Sequence, residues 1–389
     1  MKVKIGIYLE TPYCRFEDNS IGCLDIYTNL FNEFPKEAFD LHFLGRIESD
    51  KGRYYYPFKL PVTFHQVSYY KTLIHIILIY PFYLLKNHKT ISDFVDQCDR
   101  LLIMTSSPIA NYVLHIAGKK RKTCFLLVRH DSITTIPNKY KGVKKILAKI
   151  MATHLERKAE KFAKKNQPVV FALGEDRYNH YLSLSSKTIL FSSSKYSVTD
   201  VIADDQIKNI NWYDTVKLLF VGRFEVDKGV YELLAAVKSL SEYNISLTFL
   251  GSGSCQNSIE LIIKSNNLNN KIKIAGYIPY GPELLNEYSK HDILILPSYC
   301  EGLPQVILES MAKGCLVIAT KVGGIPSIIE DGYNGFLIQP FKVDSISNVI
   351  KKLVLEKPDV TDIKKAGRNT ALKYAKENQQ KVLFNNLLS

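Results

Sequence analysis

Short apolar runs recur along the chain, separated by longer stretches in which apolar residues return every three or four positions. The runs are rich in Val, Ile, Leu and Phe and show little alternation with polar residues, as expected of strands covered on both faces. The spacing between them is that of amphipathic helices. In the first half this pattern predicts strands at 3–9, 40–44, 100–104, 123–128, 169–172 and 188–191. In the second half it predicts them at 217–221, 246–250, 272–275, 293–296, 316–319 and 335–338. Strands and helices in this rhythm build a parallel sheet with helices packed on it, and each half has enough strands for a sheet of its own. The expected fold class is α/β, with two Rossmann-like domains facing each other across a cleft.

Residues 192–214 are rich in Ser, Asp and Asn, include the single Trp212, and read as the linker. The expected domains are therefore 1–200 and 201–365. The helical pattern of 362–388 ends the chain, and its segment 366–389 is expected to pack back toward the N-terminal domain. The longest uncharged apolar run, 73–85, is interrupted by Pro81. It falls short of the roughly 20 residues a membrane-spanning helix needs and reads as core. The first ten residues read as a buried strand rather than a signal peptide.

Composition narrows the function classes. Of 389 residues, 46% are hydrophobic and 23% charged, which excludes a disordered or fibrous chain. Seven scattered cysteines contain no Cys-x-x-Cys pair, so neither a disulfide framework nor a zinc site is expected, and a cytoplasmic location fits. The net charge of +13 is unevenly placed: residues 1–200 hold 30 of the 51 Lys and Arg but only 18 of the 38 Asp and Glu. Between positions 119 and 165 there are 15 cations against Asp131, Glu156 and Glu160. Such a face attracts nucleic acid, anionic lipid headgroups or a phosphorylated substrate, or is merely solvated, and charge alone does not choose among these.

Four segments of the second half carry chemistry. After the strand at 217–221 comes Gly222-Arg223-Phe224-Glu225-Val226-Asp227-Lys228-Gly229, then a helix. A helix N-terminus following a strand presents free N–H groups to an anion, and Arg223 and Lys228 add fixed positive charge. Gly251-Ser252-Gly253 follows the next strand and mimics the start of a dinucleotide fingerprint, but Gln256 replaces its third glycine. A turn that lines a ligand crevice fits better. The third segment runs from Pro297 to Gly314. It puts Glu301, Gly302 and Leu303 in a loop, starts a helix near Pro304 and places Glu309 inside it. The plain alternative for the two glutamates is one cap and one surface residue. The fourth, from Ala319 to Gly335, contains Gly323-Gly324-Ile325-Pro326 and taken alone is scaffold.

Taken in order, the segments from 217 to 340 resemble the nucleotide-sugar-binding domain of the glycosyltransferase group 1 family, also called family 4, with its two-domain GT-B fold. The diagnostic feature is Glu301 and Glu309 within Glu-Gly-Leu-Pro and Leu-Glu-Ser-Met-Ala-x-Gly, followed by Gly-Gly-Ile-Pro. The resemblance implies that Arg223 and Lys228 hold the donor diphosphate beside Gly222 and Gly251. It further implies that Glu309 binds the ribose, that Glu301 with Gly302, Leu303 and Pro304 contacts the donor sugar, and that Tyr277 and Ile278 border the base. In the first half, His130 stands where the family often carries a His-Asp pair facing the sugar, and Gly22 stands in for the glycines of its first loop.

The expected activity is that of a retaining, metal-independent glycosyltransferase, with no cofactor. It would move a sugar from a UDP- or GDP-sugar to a hydroxyl of a glycan or lipid-linked acceptor bound by the N-terminal domain, as in bacterial surface polysaccharide biosynthesis. A peripheral contact with an anionic membrane at the cytosolic face is expected from the basic half, and nucleic acid is not an expected partner. The alternatives are a basic nucleic-acid- or membrane-binding α/β protein without transferase activity, and a GT-B-fold epimerase.

Overall fold

The computed structural model describes residues 2–48, 55–70, 75–76, 79–129, 142–192 and 194–389. They fall into two compact units, one made of Met1–Lys195 together with Gln380–Ser389, the other of Tyr196–Gln379.

In chain order the first unit contains β1 (Val3–Tyr8), β2 (Cys14–Arg15), β3 (Ile21–Leu24), α1 (Asp25–Phe31), β4 (Phe39–Gly45), β5 (Tyr55–Pro57) and β6 (Val62–Gln66). It continues with α2 (Tyr80–Gln97), β7 (Arg100–Met104), α3 (Pro108–Lys119), β8 (Thr123–Val128), α4 (Val143–Asn166), β9 (Val169–Leu173), α5 (Glu175–Leu182) and β10 (Thr188–Phe191). Seven of the strands make one sheet in the order β10-β9-β8-β7-β1-β4-β6, parallel throughout. Its strands are apolar along their whole length because both faces are covered. Ile103 and Leu126 belong to one buried cluster, and Leu102 and Leu127 to another. α3 starts where Ser107 Oγ accepts a hydrogen bond from the Ala110 N–H at 3.1 Å and Pro108 occupies the first turn.

The second unit contains β11 (Val216–Val221), α6 (Val230–Ser239), β12 (Ile245–Leu250), α7 (Gln256–Ser265), β13 (Ile272–Gly276), α8 (Pro282–Ser289) and β14 (Ile293–Leu296). Next come α9 (Gln305–Ala312), β15 (Leu316–Thr320), β16 (Phe336–Ile338), α10 (Val343–Glu356) and α11 (Thr361–Tyr374). The sheet order is β13-β12-β11-β14-β15-β16, again parallel. The chain leaves β11 in one direction across the sheet and resumes at β14 on the other side of it. The loops after these two adjacent strands therefore diverge, which opens a crevice at the carboxyl edge.

Three expectations need correction. The segment read as linker is packed: Trp212 is 6% exposed and its indole N–H donates to Pro358 O at 2.8 Å, so the second unit begins at Tyr196. The single helix expected over 362–388 is two, α11 and α12 (Lys376–Leu388), broken at Ala375, whose ψ is 148°. Tyr196 makes the break: its hydroxyl donates to Ala371 O at 2.7 Å and its carbonyl accepts the Lys376 N–H at 3.0 Å. Only residues from Gln380 onward belong to the first unit, where Leu383 and Leu387 enter the core with Phe31 and Phe39. Gly22 lies in β3, not in a loop. A β-carbon there would sit 2.0 Å from Tyr56 O, so strand pairing in the small antiparallel sheet β2-β3-β5 accounts for this glycine.

Candidate functional site

The crevice of the second unit is built by the loops that follow β11, β12, β14 and β15, and backbone contacts lock them together. Glu225 binds the neighbouring loop, accepting from Ser254 N–H at 3.1 Å and from Ser254 Oγ at 2.6 Å, and these bonds hold its carboxyl below the usual range. Tyr299 N–H donates to Asp227 O at 2.8 Å and joins the loop after β14 to the loop after β11. Gly251 has a φ of 143°, and a β-carbon on it would lie 1.9 Å from Gly222 O. Gly323, at φ 51°, is closer still to Glu301, with 1.8 Å between the added carbon and Glu301 O. At both positions only glycine permits the approach. Gly302, by contrast, is exposed with nothing near an added β-carbon.

Charge gathers where the loops diverge. Lys228 ends the short turn Val226–Lys228 after β11, and Glu301 follows β14. Lys228 Nζ donates to Glu301 Oε1 at 2.8 Å, and Ser298 Oγ donates to the same oxygen at 2.7 Å. Both charged side chains are about 15% exposed, at 15% and 14%, so the pair is shielded but reachable. Glu301 is thus no helix cap. Pro304 takes the cap position of α9, and no side chain caps that helix's first turn, whose N–H groups carry the positive end of the helix dipole. Arg223 is 70% exposed with Asp227 3.9 Å away, a cation in water rather than in a fixed pair.

Glu309 is not a surface residue either: it is 5% exposed within α9 and accepts the Tyr288 hydroxyl at 2.9 Å. Burial, then the charge of Glu309, push the Tyr288 phenol well above its usual range and keep it a donor. Burial and the same carboxylate also raise Tyr280. Beside this network lies an open cavity of about 340 Å³, lined mostly by apolar groups from Val221, Gly222, Arg223, Leu250, Gly251, Tyr277, Ile278 and Tyr280.

Ten of the thirteen residues named from sequence thus come together at one edge of the second unit: Gly222, Arg223, Lys228, Gly251, Tyr277, Ile278, Glu301, Leu303, Pro304 and Glu309. Gly302 joins them by its place in the loop, and Gly22 lies in the first unit. His130 lies outside the described residues; its neighbour Arg129 donates to the Tyr27 hydroxyl at 2.5 Å. Sequence reasoning missed Tyr288, Tyr280 and Ser298, and it read Gly323 only as part of a Gly-Gly turn, without its contact to Glu301. Tyr288 precedes its partner by 21 positions in another helix, and no local pattern marks it.

Residues 202–370 match the family described as Glycosyl transferases group 1. Among curated relatives, an uncharacterized glycosyltransferase of Methanocaldococcus jannaschii, MJ1607, is 33% identical over 135 residues, 34% of this chain and 34% of that protein. The lipopolysaccharide 1,2-N-acetylglucosaminetransferase of Salmonella typhimurium LT2 is 33% identical over 175 residues, covering 42% of this chain and 46% of that one. The chain thus spans about a third to a half of the length of these relatives. Anabaena Alr3699/HepE, solved in complex with UDP, matches 100% of this chain and 99% of its own with a TM-score of 0.66 and 14% sequence identity. That likeness is one of fold, the GT-B class.

Proposed function

Because residues 202–370 form a glycosyl transferases group 1 domain, we propose that the protein is a retaining glycosyltransferase that uses a nucleoside-diphosphate sugar. The observation that carries this reading is the meeting of Lys228 and Glu301 at the divergence of the β11 and β14 loops, between an apolar chamber and a helix N-terminus. The chamber takes the base against Tyr277 and Ile278, and Glu309, oriented by Tyr288, accepts the ribose hydroxyls. Lys228, Arg223 and the first N–H groups of α9 receive the diphosphate. HepE was solved with UDP, which supports a uridine donor, and a GDP-sugar is the competing choice.

In the reaction the bond from the anomeric carbon to the diphosphate oxygen breaks, and its electron pair leaves with the diphosphate. The acceptor hydroxyl oxygen bonds to that carbon from the same face, and its proton passes to the departing diphosphate. Negative charge grows on the diphosphate as the bond lengthens. Cations and N–H groups already in place stabilise that charge without reorganising solvent, and removing one such donor typically costs about 100- to 1,000-fold in rate. Glu301 accepts hydroxyls of the donor sugar and holds Lys228 in position. Neither step draws on a metal ion.

The acceptor is a glycan or a lipid-linked glycan, a reading supported by the lipopolysaccharide enzyme of Salmonella. One feature of the first unit favours the lipid-linked form: α4 exposes Ile146, Leu147 and Ile150 beside the exposed Lys145 and Lys149, and α2 exposes Phe82 and Leu85. Apolar side chains ringed by lysine suit peripheral contact with an anionic leaflet. No described helix is long and apolar enough to cross a membrane.

The test is turnover of a nucleotide-sugar panel by the protein and its Glu309→Ala and Arg223→Ala variants, with and without EDTA. Loss of most transfer in both variants and full activity in EDTA are expected. Near-normal turnover in either variant removes the donor-site assignment, and loss in EDTA restored by Mn²⁺ removes the metal-free mechanism.

A further inference from the structure

One pair of aromatic rings at this sheet edge has no role in the donor site. After β16 the chain turns through Phe341 at a φ of 62°, a left-handed conformation that a β-carbon makes costly. The side chain so held is 63% exposed. It lies over Tyr299, with ring centroids 4.1 Å apart and planes inclined by 35°. Tyr299 is fixed from two further sides: its hydroxyl donates to Glu232 Oε1 at 2.6 Å, and its N–H donates to Asp227 O at 2.8 Å. The contact with Tyr299 offsets part of that strain, but most of the ring's area stays in water, where the same ring turned inward would bury it.

Position narrows the ligand. The apolar chamber is formed by loops following β11, β12 and β13, whereas Tyr299 and Phe341 follow β14 and β16, on the other side of β11 in the sheet order. Lys228 lies between the two places, and Glu301 is two residues beyond Tyr299. A nucleoside occupying the chamber therefore leaves the aromatic pair free, and the group beyond the diphosphate is the one that reaches it. In the glycosyltransferase reading, on which this choice of ligand rests, that group is a sugar. A pyranose ring presents a face of C–H bonds, weakly positive, to the negative face of an aromatic ring while its hydroxyls stay hydrated around the rim.

We propose that Phe341 and Tyr299 form a stacking subsite for a pyranose ring next to the diphosphate cations. The ring comes either from the donor sugar or from a glycan acceptor, and binding measurements distinguish the sources. Phe341→Gly removes the ring and suits the left-handed backbone, so the fold is kept; Phe341→Trp keeps an aromatic face. Titration calorimetry of the full chain would use UDP, UDP-glucose, GDP, GDP-mannose, maltohexaose and chitohexaose. Expected is about tenfold weaker binding of a sugar-bearing ligand to the glycine variant, with the nucleoside diphosphates unchanged and the tryptophan variant close to the parent. A loss confined to nucleotide sugars assigns the donor sugar, and one confined to oligosaccharides assigns the acceptor. Equal affinities of parent and Phe341→Gly for every sugar-bearing ligand, or no sugar-dependent binding by the parent, overturn the subsite. Failure of all nucleotides to bind overturns the donor site instead, and the oligosaccharide titrations still decide the platform.

Discussion

Replacing Tyr288 by Phe deletes one oxygen from a fully buried side chain and leaves the ring's apolar packing in place. That oxygen is the donor, at 2.9 Å, to the buried carboxylate of Glu309. A hydrogen bond to a charged group contributes about 1.5 to 3 kcal/mol, and a carboxylate only 5% exposed has little water to replace it. A loss of about 2 kcal/mol lowers the melting temperature of a unit this size by roughly 4 to 8 °C. The carboxylate also loses its orientation, so nucleoside-diphosphate affinity falls by about tenfold for each 1.4 kcal/mol of positioning that the phenol supplied. Scanning calorimetry, paired with titration of UDP and GDP, reads both effects. Unchanged melting and unchanged nucleotide affinity would refute the role given to Tyr288.

Gly323→Ala should destabilise the second unit by well over the approximately 1 to 2 kcal/mol of a left-handed backbone, because Glu301 O lies 1.8 Å from the added carbon; a denaturant titration matching the parent would be incompatible with this packing. Glu377 has its carboxyl pushed up by burial but, on balance, held below the usual range by hydrogen bonds from Ser197 Oγ and the Val198 N–H. Its contribution is complete above the unfolded pKa, about 4.3, and is lost as the pH falls through the lower folded value. Glu377→Gln should thus be less stable than the parent at pH 7, with the two converging in acid, and a constant difference down to pH 3 would contradict this. Reversing Lys145 and Lys149 to Glu should cut co-sedimentation with anionic vesicles at least tenfold at low salt, since each cation near such a surface contributes about 1 kcal/mol; equal binding to neutral vesicles would end the membrane reading.

The parallel strands other than β6 were legible because a sheet covered on both faces needs uninterrupted apolar runs, and Ile293–Leu296 and Leu316–Thr320 are such runs; β6 is a half-exposed edge strand whose Thr63, His65 and Gln66 break the run. β2, β3 and β5 were not, since strands of two to four residues leave no periodicity to read. The break at Ala375 was equally hidden: Tyr-Ala-Lys continues a helix well, and the carbonyl that captures Lys376 N–H belongs to Tyr196. In the site, the motifs pointed to residues that stand in the loops themselves, Lys228 after β11 and Glu301 after β14 among them. Burial of Glu309 and its bond to Tyr288 depend on how α8 packs beside α9, which no local spacing encodes.

The return of Gln380–Ser389 to the first unit has a consequence for how the chain is made. Phe384 packs edge-on against Phe34 at 4.5 Å, and Arg100 Nη1 donates to Leu387 O at 2.5 Å, so the aromatic cluster around Phe31, Phe34 and Phe39 is closed by residues synthesised only after the whole second unit. During translation the 184 residues of Tyr196–Gln379 emerge while that cluster still lacks its cover. At a synthesis rate of about 5 to 20 residues per second, the exposure lasts roughly 10 to 40 seconds. The second unit has all its own strands before then and can fold on the ribosome, whereas the first must wait with an open apolar flank, a surface for chaperone capture or for mispairing between nascent chains.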